Sequence, residues 1–461
     1  MHRIDVHKLV DEAKFNRFHG LVLFWGILIL VLDGYDLAVV GAALPTIMKQ
    51  MGVDSTTAGF MASSALFGMM FGAMFLGTLA DKIGRPLTIS ICIGLFSVFT
   101  AAAGLTNDPI TFSVTRFIAG LGIGGVLPGI TAQMAEYAPL KLRARMVTIM
   151  YSGYSVGGIL VALAGKQLIE TYGWQSVFFA AAAPVLLIPL ILKTMPESMP
   201  FLIKRGREAE LRQIVAKIAP QYPLHAHEQF VVPAEDRAVG APIGKLFDDG
   251  RGFSTVMIWI AFFMGLFMVY ALSSWLTKLM ALAGYSLGSA LNFVLVFNVG
   301  AIVGAVLGGW LGDKFNLKYV LIAFYALGAV SLTLMGYTKS TELLFVVVFI
   351  VGASTLGTQL IAYAYASQYY PTAIRSTGVG FATGIGRAGA ILAPILIGAL
   401  VALKLPLEQN FIAIGIVGLL GMLAVMLINH SRCASTHHHD QDKEDTHETG
   451  AAPSAHARSA G

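Results

Sequence analysis

The chain has 461 residues, 56% of them hydrophobic and only 12% charged, with a mean hydropathy of +0.72. A soluble domain carries about 25% charged residues, so the composition excludes a soluble enzyme and indicates a polytopic membrane protein. The net charge of +5 does not mark a nucleic-acid binder, because the basic residues cluster between apolar segments, as in cytoplasmic loops. Cys92 and Cys433 are not spaced for metal, redox or disulfide chemistry. The N-terminus is polar through His19 and the first apolar run is too long for a signal-peptide core, so no cleavable leader is expected.

Twelve apolar segments reach the roughly 20 residues a spanning helix needs: 20–47, 57–79, 86–105, 109–133, 143–168, 174–194, 253–281, 287–312, 317–337, 341–366, 373–402 and 408–430. The reading is an all-α membrane protein. It has a cytoplasmic segment 1–19, a six-helix bundle 20–194, a polar cytoplasmic linker 195–252, a second bundle 253–430 and a disordered cytoplasmic tail 431–461. With the N-terminus inside, 24 of the 31 Lys and Arg fall on the cytoplasmic side, which sets both termini in the cytoplasm.

The halves repeat at an offset of 232 residues. Gly77-Thr-Leu-Ala-Asp81-Lys82 matches Gly309-Trp-Leu-Gly-Asp313-Lys314, Pro139 and Arg143 match Pro371 and Arg375, and Gly157-Gly-Ile-Leu matches Gly389-Ala-Ile-Leu. One offset for three separated blocks implies two related bundles, with a substrate site near midplane between them. Glycines four apart, at Gly68/Gly72, Gly153/Gly157 and Gly300/Gly304/Gly308, predict close helix packing.

Four formally charged side chains lie deep in the predicted helices: Asp33, Asp36, Arg116 and Arg387. Each costs roughly 2.5–3.5 kcal/mol on insertion scales, so such residues face cavities and work there. None has a like residue at its repeat position, where Gly265, Met268, Val348 and Ser155 stand. Asp33 and Asp36, three apart, share a helix face. Mutual repulsion and burial make them the leading candidates for a proton site. Asp36 can equally orient Arg116 or the substrate, and Arg116 can pair with either acid. Arg387, flanked by glycines, carries a permanent guanidinium suited to a carboxylate; a structural ion pair is its other reading. Asn298, Gln359, Tyr35, Tyr270, Trp275, Tyr151 and Tyr154 are candidates to line an apolar slot with a few polar anchors. His437–His439, Asp440, Asp442, Glu444 and His447 in the tail can hold metal only loosely, and the tail reads as solvated chain.

Gly77-Thr-Leu-Ala-Asp81-Lys82-Ile-Gly84-Arg85 resembles the signature loop of the major facilitator superfamily. Arg116-Phe-Ile-Ala-Gly-Leu-Gly-Ile-Gly-Gly, Glu136-Tyr-Ala-Pro139-Leu-Lys-Leu-Arg143 and Pro196-Glu197-Ser198 resemble its further motifs. Asp33-Gly-Tyr-Asp36 is similar to the first helix of the aromatic acid:proton symporter family, and Ile4–Val10 with Phe15–Gly20 look most like its benzoate members. The resemblance implies two six-helix bundles and alternating access. It also implies import of benzoate, 4-hydroxybenzoate or a related acid with protons across a bacterial inner membrane, by a monomer without cofactor. It further implies a charge network closing the inner side, formed by Asp81, Arg85, Glu136, Arg143, Asp313 and Arg375. The second signature loop departs from the first, with Asn316-Leu-Lys318 where Gly-Arg stands in the first half. Two other readings use the same residues: a proton-driven exporter, and a membrane sensor of aromatic acids.

Overall fold

The computed structural model describes residues 3–220, 229–231 and 243–433. Twelve helices are long and apolar enough to span a bilayer. They are α1 (Arg17–Met51), α2 (Ser55–Ile83), α3 (Arg85–Ala103), α4 (Pro109–Tyr137), α5 (Arg143–Tyr172) and α6 (Gln175–Thr194) in the first half. The second half holds α7 (Gly252–Leu282), α8 (Leu287–Lys314), α9 (Leu317–Tyr337), α10 (Thr341–Tyr369), α11 (Thr372–Ala402) and α12 (Leu407–Leu427). The ends follow local chemistry. Asn16 caps α1 in a reciprocal pairing with His19, and Asp54 and Asp108 accept from the Thr57 and Thr111 amides at 3.1 and 2.8 Å. Gly52, with φ +65°, closes α1 in the left-handed region that favours glycine.

The repeat read from sequence is a repeat of packing. In the first half α1 packs on α5, α2 on α4 and α3 on α4; in the second α7 packs on α11, α8 on α10 and α9 on α10. The α2–α4 seam is backbone against backbone. A Cβ on Gly68, Gly72, Gly120 or Gly124 would overlap a main-chain carbonyl of the facing helix, and the same holds for Gly300, Gly304 and Gly352 in the α8–α10 seam. The glycine spacing thus marks helices in direct backbone approach.

Three helix pairs join the halves: α2 with α11, α5 with α8 and α1 with α7. Their contacts gather at the end of the molecule away from the termini. Ser63 Oγ donates to the Ile391 carbonyl at 2.5 Å, and Lys166 Nζ donates to Asn292 Oδ1 at 2.8 Å. Val39, Leu44, Ile47 and Met61 share one hydrophobic core there with Leu272, Trp275, Leu276 and Ile397. A second core, including Ile89, Ile123, Met134 and Met146, is built mainly from the first bundle and takes in Ile391 of α11. The inter-bundle contacts named above lie toward one face.

Three features depart from the sequence reading. α6 is not one continuous helix: Ala183–Leu187 forms a 3-10 turn where Pro184, and Pro189 beyond it, interrupt the α-helical ladder. The polar stretch after α6 is not a bare linker, since Glu208–Ile218 is an amphipathic helix that buries Leu211, Ile214, Val215 and Ile218 against the first bundle. Asn16 Nδ2 fastens that helix by donating to the carbonyls of Lys217 and Ile218 at 2.9 and 3.1 Å. Beside the all-α architecture stands a small parallel pair, β1 (Arg3–Asp5) with β2 (Gln229–Val231), whose short unpatterned strands carry no sequence signal. The tail residues His437–His447 lie outside the described residues.

The seams yield a stability prediction. Gly304→Leu places its side chain into the Ala353 carbonyl, whereas Gly309→Ala meets open space. Overpacking costs about 1–3 kcal/mol or more. Thermal unfolding of the purified protein should therefore show a lowered midpoint for Gly304→Leu and an unchanged one for Gly309→Ala.

Candidate functional site

A cavity of about 190 Å³ lies between the bundles, lined from α1, α4, α5, α7, α8, α10 and α11. Its size is below the roughly 300–1,000 Å³ typical of sites for drug-sized ligands, so it suits a single-ring molecule. Six sequence-predicted residues meet here: Tyr151, Tyr154, Tyr270, Asn298, Gln359 and Arg387. Tyr151 and Tyr363 complete an aromatic wall with Phe297.

Two groups on this wall have unused hydrogen-bonding capacity. Gln359 is buried, and neither its Oε1 nor its Nε2 finds a partner among the described residues. A buried polar group left unsatisfied costs about 1–3 kcal/mol, so the amide is a natural ligand contact. Arg387 is half-buried and has no ion pair or hydrogen bond among the described residues. Asn298, by contrast, spends its amide nitrogen on the Val294 carbonyl at 2.9 Å.

The two acids of α1 are fully buried but do not form one site. Asp33 accepts from Tyr154 Oη at 2.5 Å, and its other oxygen is without a partner. Gly34 lets the α1 backbone press against Tyr154, which fixes the tyrosine between Asp33 and the cavity. Asp36 turns to α4 instead. Arg116 Nη1 donates to Asp36 Oδ2 at 3.1 Å and to Thr100 Oγ1 at 2.5 Å, while Nη2 donates to the Asp36 carbonyl at 3.0 Å. Of the two partners open to Arg116 in the sequence, the structure takes Asp36. Among the described residues no hydrogen bond joins the two carboxylates; they are held by different partners, and Asp36 acts on Asp33 through charge. Asp33 and Arg387 act on each other through charge without touching.

Two predicted lining residues lie elsewhere. The Tyr35 hydroxyl donates to the Val177 carbonyl at 2.9 Å, away from the central cavity. Trp275 is fully buried in the seal between the bundles, its Nε1 donating to the Pro394 carbonyl at 3.0 Å. Each places its polar tip on a backbone carbonyl, as buried Tyr and Trp do. Tyr363 was missed, although it stands four residues after Gln359 and so shares its helix face.

A family model described as the Major Facilitator Superfamily matches residues 26–307 and 291–453. The chain belongs to the major facilitator superfamily. Within the superfamily, a benzoate transport protein of Acinetobacter baylyi is 42% identical over 435 residues, 93% of either chain. A gallate transporter of Pseudomonas putida is 33% identical over 436 residues, covering 94% of this chain and 97% of that one. Among solved structures, an inward open conformation of the xylose transporter XylE from E. coli superposes with a TM-score of 0.68 at 20% identity, over 89% of this chain and 95% of that one; that likeness is one of fold. These relatives are carriers, and this superfamily member is not an enzyme.

Among the described residues, no ion pair links the six motif charges of this superfamily member across the bundles. Arg85 pairs with Glu136, and its amide donates to Glu197 at 2.8 Å. Glu136 also accepts from the Met199 amide at 2.5 Å and from Ser198 Oγ. Arg143 pairs with Asp11 of the short N-terminal helix. Asp81, Asp313 and Arg375 are exposed. Arg375 reaches only the Tyr370 carbonyl of its own bundle, at 3.4 Å.

The buried pair gives a second prediction. Removing one partner of such a pair costs about 3–5 kcal/mol, because the other charge stays buried alone. Arg116→Gln should lower the unfolding midpoint sharply, and adding Asp36→Asn should recover part of the loss. A double-mutant cycle on the purified carrier measures the coupling; additive losses would show that the pair is not a unit.

Proposed function

We propose that the chain imports an aromatic carboxylate, benzoate or a near relative such as 4-hydroxybenzoate, together with protons. The transport crosses a bacterial inner membrane by alternating access. The observation that carries the reading is an arginine without a partner, Arg387, beside the unsatisfied Gln359 amide in a tyrosine-lined cavity of single-ring size. Relatives named as benzoate and gallate transporters support the substrate class. The basic face carries the termini and is cytoplasmic by the positive-inside rule, so the arrangement is inward-facing. A monomer suffices, and the proton gradient is the driving force with no cofactor.

In this reading the carboxylate binds Arg387 through paired hydrogen bonds, with the Gln359 amide as a further donor. Tyr154 couples the two ligands. While Asp33 is ionised it holds the Tyr154 hydroxyl. A proton on Asp33 weakens that acceptor, because a neutral carboxyl accepts less strongly than a carboxylate, and lets the hydroxyl turn to the substrate. Proton and substrate then favour each other's binding, which is the linkage a symporter needs. One proton with one monoanion is electrically silent; a second proton would add about 2.3 kcal/mol per 100 mV.

The test is uptake of labelled benzoate into proteoliposomes under an inward proton gradient. Asp33→Asn should abolish gradient-driven accumulation while counterflow exchange persists, whereas unimpaired accumulation would remove Asp33 from coupling. Losing a charged hydrogen bond costs about 1.5–3 kcal/mol, so Arg387→Gln should raise KM for exchange roughly ten- to hundredfold. An unchanged KM would place the carboxylate elsewhere. Tyr154→Phe should retain exchange but accumulate less substrate per unit of gradient; full accumulation would show that the hydroxyl does not link the sites.

A further inference from the structure

A second cavity is larger than the central one. A cleft of about 1,220 Å³ lies at the basic end of the first bundle, bounded by the start of α1, the α2–α3 loop, the end of α6 and the amphipathic helix Glu208–Ile218. It sits where four elements leave the bilayer, at headgroup depth. Its lining has two parts. Arg17, Lys193 and Lys217 contribute exposed cations, and none of them has a carboxylate partner among the described residues. Leu21, Leu87 and Leu192 contribute an apolar wall and are 37%, 44% and 48% exposed.

The other charges in the cleft are accounted for. Arg207 is paired with Glu210 at 2.5 Å. Glu197 accepts from the Arg85 and Ser198 amides at 2.8 and 2.9 Å, and burial pushes its carboxyl upward, which weakens its negative charge. What faces the cleft is a set of unpaired cations above exposed leucines. A soluble anion would be met by the cations alone and would leave the leucines in water. A molecule with an anionic head and apolar tails satisfies both parts, and the bilayer supplies one at this depth.

We propose that this cleft binds an anionic phospholipid, with its phosphate among Arg17, Lys193 and Lys217 and its acyl chains along Leu21, Leu87 and Leu192. The lipid would hold the linker helix against α1 and α6, fixing one end of the only chain connection between the bundles. Trp25 reports on the site, because its indole donates to Thr194, a lining residue, at 3.1 Å.

The test uses the full chain in phosphatidylcholine vesicles doped with phosphatidylglycerol or phosphatidylcholine brominated on the upper acyl chain. Quenching of Trp25 emission, isolated by subtracting a Trp25→Phe variant, should occur at lower mole fractions of the brominated phosphatidylglycerol. The preference should fall roughly fivefold for each cation removed, and it should vanish in a variant combining Arg17→Gln, Lys193→Gln and Lys217→Gln. Lys193→Gln alone changes an exposed, unpaired side chain and keeps the fold, so its partial loss is read without ambiguity. Lys339→Gln, at the opposite face, should leave the preference intact. Equal quenching by the two lipids would overturn the proposal. So would displacement of brominated phosphatidylglycerol by inorganic phosphate, which would mark a site for a free anion.

Discussion

An ion inside hydrocarbon has to be answered by another polar group, and that constraint organises the interior of this carrier. Four charges lie deep in its helices. Asp36 and Arg116 answer each other, with Thr100 completing the guanidinium's contacts. Asp33 is answered by a neutral hydroxyl, Tyr154, which can satisfy one of its oxygens and not its charge. Arg387 has no protein partner among the described residues. Two charges are therefore settled within the protein, and two of opposite sign are held apart on either side of a tyrosine. In the function proposed above, the proton and the substrate carboxylate complete this imbalance.

The packing serves that separation. Backbone contact through glycines makes α2 with α4, and α8 with α10, behave as rigid pairs. Gly34 does the same for α1 against Tyr154, so the distance between Asp33 and the cavity wall is set by main chain. The joints that must change in alternating access are of another kind. The seal between the bundles rests on apolar contacts and a few single hydrogen bonds such as Ser63 to Ile391. Such a surface can part without stranding a buried charge.

The fold was almost wholly legible because its signals are long. Twelve apolar runs, an excess of Lys and Arg on alternate loops and a repeat at one offset each average over many residues, and the helices fall within a few residues of the expected spans. The cavity was legible in part. Arg387, Gln359 and Tyr270 stood out as polar or amphipathic groups at mid-helix depth. Tyr35 and Trp275 shared that depth but face away, because depth alone does not give rotation about the helix axis. Tyr363 was recoverable from its spacing to Gln359. The division of the two acids was not recoverable, since i,i+3 neighbours are separated by which facing helix offers a partner, and that is set by tertiary packing. Nor could the break in α6 be placed by hydropathy, although Pro184 and Pro189 announced it.

The motif charges show why the two halves are not equivalent. In the first bundle they form a closed web: Arg85 with Glu136, Glu136 with the Met199 amide and Glu197 with the Arg85 amide. That web ties α3, α4 and the end of α6 together within the first bundle. In the second bundle Asp313 and Arg375 are exposed, and Asn316 caps α9 by accepting from the Lys318 amide where the first half has Gly-Arg. Asp81 is exposed and without an ion pair among the described residues. Closing the basic face would therefore bring unspent charges of both bundles toward a preassembled block, while the web itself keeps its bonds. If they serve in that closure, Asp81, Asp313 and Arg375 would exchange water for new partners, a small and reversible difference. A carrier that must open again in each cycle needs a gate of that strength.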